Sequence, residues 1–404
     1  MAKNKPKPAS NVVDIRQSAA RAQEEMEYMA EIEAANIAWR NPLTHDRDLT
    51  YKLLKLTFEY PHLAAREIVP LLKSEHPKLD HQTITWMIKN AIRNGLVTTH
   101  INYPYPQGDL LTLELELLQT FPELEVAKVE SMSELTTTKL GPKSRLSARR
   151  DVLLRLVRLA AGIIDRFLAA RARDHGDEST VVGIGWGRTM FYLLRCLESE
   201  RRPQYGPRVE CMPILATGNT PQRQGLDGHN LATRLAEVYG GQAWPLQWPA
   251  LPNNVDARGI RNSEFFTPMK AKMKDIRLVI NSVSEVVDKG DAEGPWLSDD
   301  PLVNEALRRS DRWEHIRGRI GLWFYDENGF EIPLKYRQAM GIGLQRLKRI
   351  ASEPDRICMT IAGGDPARVP AILGALRGRM ITHLLTDEHT ARALIAAEKA
   401  RRGA

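Results

Sequence analysis

Residues 179–194 of the chain are STVVGIGWGRTMFYLL. An apolar run, Val181–Ile184, is followed by a glycine-rich turn, Gly185-Trp186-Gly187-Arg188-Thr189, and then by apolar residues at helical spacing. This order predicts a strand, a tight turn and a helix. Because the first backbone amides of a helix lack acceptors and lie at the positive end of its dipole, such a junction favours an anion. A turn that merely connects two elements explains the pattern equally well at this point.

The composition indicates a packed globular protein, with 404 residues of which 43% are hydrophobic. Three isolated cysteines, Cys196, Cys211 and Cys358, lack CxxC or Cys/His spacing, which argues against a zinc site and against a disulfide framework. No segment has the roughly 18 uninterrupted apolar residues of a membrane span, so we expect no membrane contact and a cytoplasmic location. The net charge of +7 favours polyanions only weakly.

The N-terminal region has the organisation of a small DNA-binding module. Residues 1–45 are interpreted as an arm, partly helical or disordered, and residues 46–104 as a winged helix-turn-helix domain of three helical segments and a short extended pair. The third helix is predicted to start at Asp80, to bury Ile84 and to end at Gly95.

The exposed face of that third helix could bind double-stranded DNA. Short hydrogen-bonding side chains near its start can reach base edges, and later basic side chains can reach phosphates. An ordinary helical subdomain with a polar face is the alternative. The candidate DNA-binding residues, including two on the extended pair, are His81, Gln82, Thr83, Thr85, Lys89, Arg93, Thr98 and Thr99.

Residues 105–148 are predicted as linker and junction, and residues 149–404 as an effector-binding domain. In this domain strands and helices alternate, which indicates a doubly wound, mostly parallel α/β sheet covered on both faces. The predicted strands are 181–186, 209–216, 276–283, 320–325, 358–362 and 381–385. The predicted helices are 187–197, 229–239, 302–308, 336–350, 366–376 and 389–401.

Four loops that follow predicted strands carry residues suited to binding a small anion. Ligands of open α/β sheets bind outside the carboxyl ends of the strands, so these loops are the candidate site. Two glycine turns with an arginine each, together with a carboxylate pair, describe a pocket for an oxygen-rich anion such as a sugar phosphate. The candidate effector-binding residues are Gly185, Trp186, Gly187, Arg188, Thr189, Thr217, Gly218, Asn219, Gly363, Gly364, Arg368, Asp387 and Glu388.

An enzyme is the competing class of protein. In a sugar-phosphate isomerase or hydrolase-like enzyme, Asp387 and Glu388 could act as acid and base, and the N-terminal unit would serve oligomerisation. Acidic residues at a helix start are also ordinary caps. The sequence has no intact nucleophile elbow, Walker A motif, HExxH or GxGxxG fingerprint. We therefore expect a non-enzymatic protein with no catalytic residue, no cofactor and no metal.

The chain resembles the SorC family of bacterial sugar-responsive transcriptional regulators. The segments that carry the resemblance are GIGWGRT at 183–189, LATRLAEVYGG at 231–241, FYDENG at 324–329, AGGDPARVPAILGALRG at 362–378 and LLTDEHTARALI at 384–395. ELELLQTFPELEVAKV, at 114–129, resembles the family's junction between its two domains.

The resemblance implies a helix-turn-helix domain that feeds a sugar-isomerase-like effector domain used for sensing. It also implies homo-oligomers, dimers or tetramers, and phosphorylated sugars or polyols as effectors. Arg368 stands where many members have a phosphate-contacting lysine, and Arg319 replaces the carboxylate of the family's usual Gly-Asp-Ile. The turn at 74–79 is longer than the family's typical turn.

Overall fold

The computed structural model divides the chain into two compact units, one containing residues 106–404 and the other the described residues between 49 and 88. Each unit has a hydrophobic core of its own. The described residues are Leu49, Lys52, Leu53, Leu56, 65–73, Thr83, Ile84, Met87, Ile88, 107–131, 142–176, 178–200, 202–216, 226–285, 287–288, 295–296, 301–335 and 337–403.

The smaller unit is helical where it is described. Helix α1 spans Ala65–Leu72, and its Ile68 packs with Leu53 and Ile84 in the small core. Ile84 is fully buried while the adjacent Thr83 is exposed. The helix predicted to follow Asp80 therefore presents at Ile84 the buried face that the sequence indicates.

The strands of the larger unit are short, and its helices are up to 33 residues long. The strands are β1 (Val126–Glu130), β2 (Thr180–Ile184), β3 (Val209–Pro213), β4 (Gln242–Ala243), β5 (Ile276–Asn281), β6 (Val287–Asp288), β7 (Pro295–Trp296), β8 (Gly318–Ile320), β9 (Trp323–Tyr325), β10 (Glu331–Ile332), β11 (Ile357–Ile361) and β12 (His383–Asp387). The helices are α2 (Gln107–Thr120), α3 (Pro142–Asp174), α4 (Arg188–Glu198), α5 (Gly228–Val238), α6 (Asn254–Arg261), α7 (Phe266–Asp275), α8 (Pro301–Arg308), α9 (Gly343–Ser352), α10 (Val369–Arg377) and α11 (Glu388–Gly403), with 3-10 turns at Gly206–Arg208, Trp313–His315 and Pro366–Arg368.

Seven of these strands form one sheet in the order β1-β12-β11-β5-β2-β3-β4. Its neighbouring strands pair in parallel. Every residue of β2, β3 and β12 is buried. Strands that are buried on both faces belong to a sheet covered by helices on both sides. The predicted α/β fold with a mostly parallel sheet is thus confirmed.

The direction of strand addition reverses between β2 and β5. From β2 the chain passes through α4 to β3 and through α5 to β4, toward one edge of the sheet, whereas from β5 it continues to β11 and β12, toward the other edge. Because such crossovers are right-handed, the helices of the two halves cover opposite faces. The loops that leave β2 and β5 therefore diverge, and the resulting crevice is where open α/β sheets bind ligands.

Two predicted elements differ from the structure. The predicted strand at 320–325 is wrong, because β8 and β9 form an antiparallel hairpin whose reversal uses Gly321 at a φ of 59°. The helix predicted at 336–350 begins only at Gly343. Gly341 and Gly343 have φ values of 155° and 73°, and such backbone conformations interrupt a right-handed helix.

The segment predicted as linker, 105–148, contributes two complete elements to the larger unit. Strand β1 is an edge strand that pairs with β12, with Val126 opposite His383. Helix α2 packs on β1 and α11 and buries Leu113 and Leu117. The sheet domain therefore includes residues that precede position 149.

Candidate functional site

The first glycine turn connects β2 to α4 at the crevice between β2 and β5. The Gly185 amide donates to the Ile280 carbonyl at 2.8 Å, and the Gly187 amide donates to the Leu226 carbonyl at 3.0 Å. Gly187 has a φ of 97° and supplies no side-chain cap to α4. The first amides of a helix have no acceptor within the helix. Gly187 has no side chain with which to cap the helix, and the positive end of the helix dipole at this turn favours an anion.

The side chains of this turn differ in their surroundings. Arg188 is exposed on the first turn of α4, where its guanidinium adds positive charge at the helix start. Trp186 is half-buried and packs against the main core, and Thr189 is buried. Arg188 is thus the charged side chain of the turn, while Trp186 and Thr189 help to hold it in place.

The second glycine turn, after β11, is fixed by Asp387 at the end of β12. The Gly364 amide donates to Asp387 Oδ2 at 2.6 Å, and Gly364 has a φ of 77°. A Cβ atom at Gly363 would lie 2.5 Å from the same oxygen. Only glycine fits this approach, because a side chain there would displace the buried carboxylate.

Both carboxylate oxygens of Asp387 are engaged by the protein. Oδ1 accepts from the Thr390 amide at 3.0 Å, and Oδ2 accepts from the Thr390 hydroxyl at 2.6 Å as well as from Gly364. Asp387 is 1% exposed and caps α11. Its neighbour Glu388 accepts from Arg392, one helical turn later, at 2.9 Å. These contacts are those of a helix cap and of a surface ion pair.

The arginine of the second turn faces a carboxylate of the loop that follows β5. Arg368 Nε lies 3.3 Å from Glu285 Oε2, and both side chains are partly exposed. Asp365 accepts from the Ala367 amide at 3.1 Å and pairs with Arg149 at 3.2 Å. The second turn therefore already holds carboxylates of the protein around its positive groups.

Three buried polar residues at the strand ends are absent from the sequence-based candidates. They are Asn281 on β5, Thr360 on β11 and Thr386 on β12, each at most 1% exposed. The Thr360 hydroxyl donates to Asn281 Oδ1 at 2.8 Å. The signal that could have found Asn281 is an asparagine directly after the apolar run Leu278–Ile280, within the segment 276–283 that the sequence assigns wholly to a strand.

Several sequence-based candidates lie outside the described residues. In the effector site these are Thr217, Gly218 and Asn219. In the DNA-binding domain they are His81, Gln82, Thr85, Lys89, Arg93, Thr98 and Thr99, and of that set Thr83 alone is described and is exposed. The structure brings Gly185–Thr189, Gly363, Gly364, Arg368, Asp387 and Glu388 to the carboxyl edge of one sheet.

Arg319, which replaces the family's carboxylate, lies on the hairpin beside the loop after β5. Its backbone forms two hydrogen bonds with Ser284, both at 3.0 Å. Its Nη1 donates to the Gly321 carbonyl at 2.8 Å. The guanidinium is therefore held at the turn of its own hairpin.

The described part of the chain offers neither a metal-binding cluster nor a membrane-spanning helix. There, no group of three or more His, Cys, Asp or Glu side chains is placed to hold a metal ion. None of the helices described is long and apolar enough to cross a bilayer.

Comparison with known proteins identifies the family. The Sugar-bind family, described as a sugar-binding domain, matches residues 146–396. The chain belongs to the SorC family of sugar-responsive transcriptional regulators. This SorC-family chain is 26% identical over 316 residues to the sorbitol operon regulator of Klebsiella pneumoniae, with 78% of the chain and 88% of that relative covered.

Other SorC-family similarities agree with this assignment. The chain is 24% identical over 323 residues to the transcriptional regulator YjhU of Escherichia coli, which covers 78% of the chain and 86% of that protein. The crystal structure of the full-length sorbitol operon regulator SorC from Klebsiella pneumoniae superposes with a TM-score of 0.54 at 23% identity, covering 86% of this chain and 98% of that one. A transcriptional regulator from Streptococcus pneumoniae superposes with a TM-score of 0.54 at 20% identity over 72% of this chain and 99% of that one. The structural similarities support the same fold.

Proposed function

We propose that the protein is a DNA-binding transcriptional regulator whose operator binding is controlled by a small sugar or polyol effector that carries a phosphate. The observation that carries the proposal is the first glycine turn. In a SorC-family chain, an uncapped helix start with an exposed arginine lies at the crevice between β2 and β5. Backbone amides and a guanidinium are suited to a phosphate group.

The class of effector follows from the relatives. One of them is named as the regulator of a sorbitol operon, so a sugar or polyol is the first class to test here. The phosphate is inferred from the turn itself. We further propose that the protein acts as a homo-oligomer, a dimer or a tetramer, and that it has no catalytic activity, since its relatives are named as regulators.

The mechanism is a shift between two arrangements of the oligomer. An effector bound at the carboxyl edge of the sheet favours one arrangement and so changes how the DNA-binding domains are spaced. Phosphate contacts from basic side chains make affinity for duplex DNA fall steeply with salt. Substitution of Gln82 or Thr83 should relax sequence preference more than substitution of Lys89, because base contacts specify and phosphate contacts position.

Genomic fragment selection with the purified full-length protein tests this function. The selected fragment is then titrated at several salt concentrations, with and without a panel of sugar phosphates. We expect Arg188→Ala to weaken the effector response by about tenfold while DNA affinity stays unchanged. Arg349→Ala is the matched control, because Arg349 is an exposed arginine of α9, just before β11 and thus toward the amino edge of the sheet. Failure to select any fragment, or salt-independent affinity, contradicts the proposal.

A further inference from the structure

Asn281 is the last residue of β5, at the point where the direction of strand addition reverses. It lies directly beside the first glycine turn. A Cβ atom at Gly185 would be 3.5 Å from Asn281 Cα and 3.6 Å from its Cβ. The first glycine turn therefore lies in contact range of Asn281.

Within the described part of the chain, only one of the two polar atoms in the side-chain amide of Asn281 has a hydrogen-bond partner. Its Oδ1 accepts a hydrogen bond from the Thr360 hydroxyl at 2.8 Å. Its Nδ2 is buried and has no hydrogen-bond partner among the residues that the structure describes. The whole residue is 1% exposed. A buried donor without an acceptor destabilises a folded protein, so an amide held in this way needs another reason to be there.

A second polar group follows the same pattern two strands away. The Thr386 hydroxyl, on β12, is fully buried and without a partner in the described residues. It lies next to the second glycine turn, 3.3 Å from where a Cβ of Gly363 would be. Uncharged donors on β5 and β12 therefore flank β11 and the second glycine turn.

We propose that Asn281 is a specificity residue of the effector site, whose Nδ2 donates a hydrogen bond to a hydroxyl oxygen of the sugar part of the effector. This assignment rests on the proposed function, since it presumes that an effector binds at this edge. The division of tasks follows from charge: the helix start and Arg188 favour the phosphate, and the neutral amide favours an uncharged oxygen. A ligand that satisfies Nδ2 gains the hydrogen bond which the unliganded protein lacks.

The test measures binding and thermal unfolding of the full-length protein and its variants. The probes are glucose 6-phosphate, fructose 6-phosphate, glucitol 6-phosphate and inorganic phosphate, each titrated by calorimetry. The variants are Asn281→Leu and the double variant Asn281→Leu/Thr360→Val, which removes the paired hydroxyl together with the amide. Asn262→Leu is the control, because Asn262 is exposed at the end of α6.

Asn281→Leu should weaken binding of the sugar phosphate by about tenfold or more, with inorganic phosphate affinity unchanged. The double variant should melt within about 2 °C of the wild type or above it, since it removes an unpaired buried donor. If the wild type binds a sugar phosphate, the calorimetric affinities test the assignment. An unchanged affinity in Asn281→Leu then overturns it.

If the wild type binds none of the sugar phosphates, the melting temperatures of the variants test the assignment. A double variant that melts more than about 2 °C below the wild type then identifies Asn281 as a structural residue and overturns the assignment. A double variant that melts within about 2 °C of the wild type, or above it, supports the assignment. Failure of the proposed function is distinguishable, because it appears as a lack of DNA binding, which neither measurement involves.

Discussion

The two glycine turns differ in the charged side chains that surround them. At the second turn, Asp365, Asp387 and Glu285 accept hydrogen bonds or pair with arginines of the protein itself. At the first turn no side chain caps the helix start, within the described residues. An anion that approaches the second turn therefore competes with these carboxylates of the protein. This competition favours the first turn as the proposed phosphate site.

Glu285→Gln should raise the affinity of the protein for anions. The neutral amide no longer competes for Arg368, whose Nε lies 3.3 Å from the carboxylate. We expect inorganic phosphate and sugar phosphates to bind about threefold more tightly, the size of effect typical of a partly exposed ion pair. Calorimetric titration measures it. Glu353→Gln is the control, because Glu353 pairs with Arg356 just before β11, near the amino edge of the sheet. Equal affinities in the wild type and Glu285→Gln would show that Arg368 does not reach the anion.

Asp387→Asn should destabilise the fold. The substitution replaces an oxygen that accepts from Gly364 and Thr390, so we expect a loss of about 2 kcal/mol in the free energy of unfolding. Glu388→Gln removes only a surface i,i+4 pair with Arg392 and should cost about 0.5 kcal/mol or less. Urea denaturation compares the two variants. If both have the same stability, Asp387 does not fix the turn.

The same two variants separate a regulator from an enzyme. Asp387 accepts from the Thr390 amide as a helix cap and Glu388 pairs with Arg392, and neither contact requires a catalytic role. Turnover of a sugar phosphate that disappears in either variant, at temperatures where both remain folded, would favour an isomerase or hydrolase instead.

At the residue scale, the sequence identifies only some of the candidate site residues at the carboxyl edge of the sheet. The others depend on contacts between distant parts of the chain. Glycine spacing and a following helix pattern are local, so Gly185, Gly187 and Arg188 are recognisable from the sequence. The role of Asp387 in fixing Gly364 depends on a contact 23 residues apart. The unpaired amide of Asn281 depends on the pairing of β5 with β11. No local pattern carries such information.

At the scale of elements, the predictions hold where hydrophobic runs are long and isolated. Strands β2, β3, β5, β11 and β12 correspond to predicted strands with shifted ends. The sequence does not indicate the hairpin of β8 and β9. Gly321 makes the turn, but its neighbours Ile320 and Leu322 are apolar and give no turn signal. Strand β1 lies in the segment predicted as linker, because its place in the sheet depends on its pairing with β12, which is distant in sequence.

Helix α11 ends in a charge cluster that should make stability depend on pH. Burial would raise the pKa of Glu398, but hydrogen bonds from Arg401 and Arg377 outweigh it and lower the pKa to about 2, from an ordinary value of 4.5. The folded state therefore holds Glu398 ionised where the unfolded chain is already protonated. The stabilisation is fully present above pH 4.5 and is lost as the pH falls toward 2.

Glu398→Gln should therefore remove part of this acid sensitivity. We expect a loss on the order of 2 kcal/mol in the free energy of unfolding at neutral pH, and a smaller difference from the wild type as the pH falls through the window. Denaturant titrations at a series of pH values measure both. Glu116→Gln is the control, because Glu116, on α2, pairs with Lys399 of α11 at a more exposed position. A loss that does not vary with pH would show that packing, and not charge, is responsible.

At the scale of the whole molecule, sensing and DNA binding are assigned to different parts of the chain. The larger unit, which contains Pro106–Ala404, has its own core and the complete parallel sheet. The proposed effector residues lie within it, and the proposed DNA-binding residues precede it. Helix α2 and strand β1 must be included in any separate effector domain, because β1 pairs with β12 next to Asp387.

A chain of residues 106–404 should consequently fold and bind the effector without binding DNA. We expect cooperative unfolding and sugar-phosphate affinity within about twofold of the full-length protein, since the removed residues supply none of the proposed effector contacts. A chain that begins at residue 149 lacks α2, β1 and the first turns of α3, exposes the edge of β12, and should aggregate or unfold at lower denaturant. Calorimetry and electrophoretic mobility shift assays compare the three chains. Effector binding that requires residues before 106 would mean that the smaller unit contributes to the site, and the regulator would then couple its two ligands through direct contacts and not through the arrangement of the oligomer.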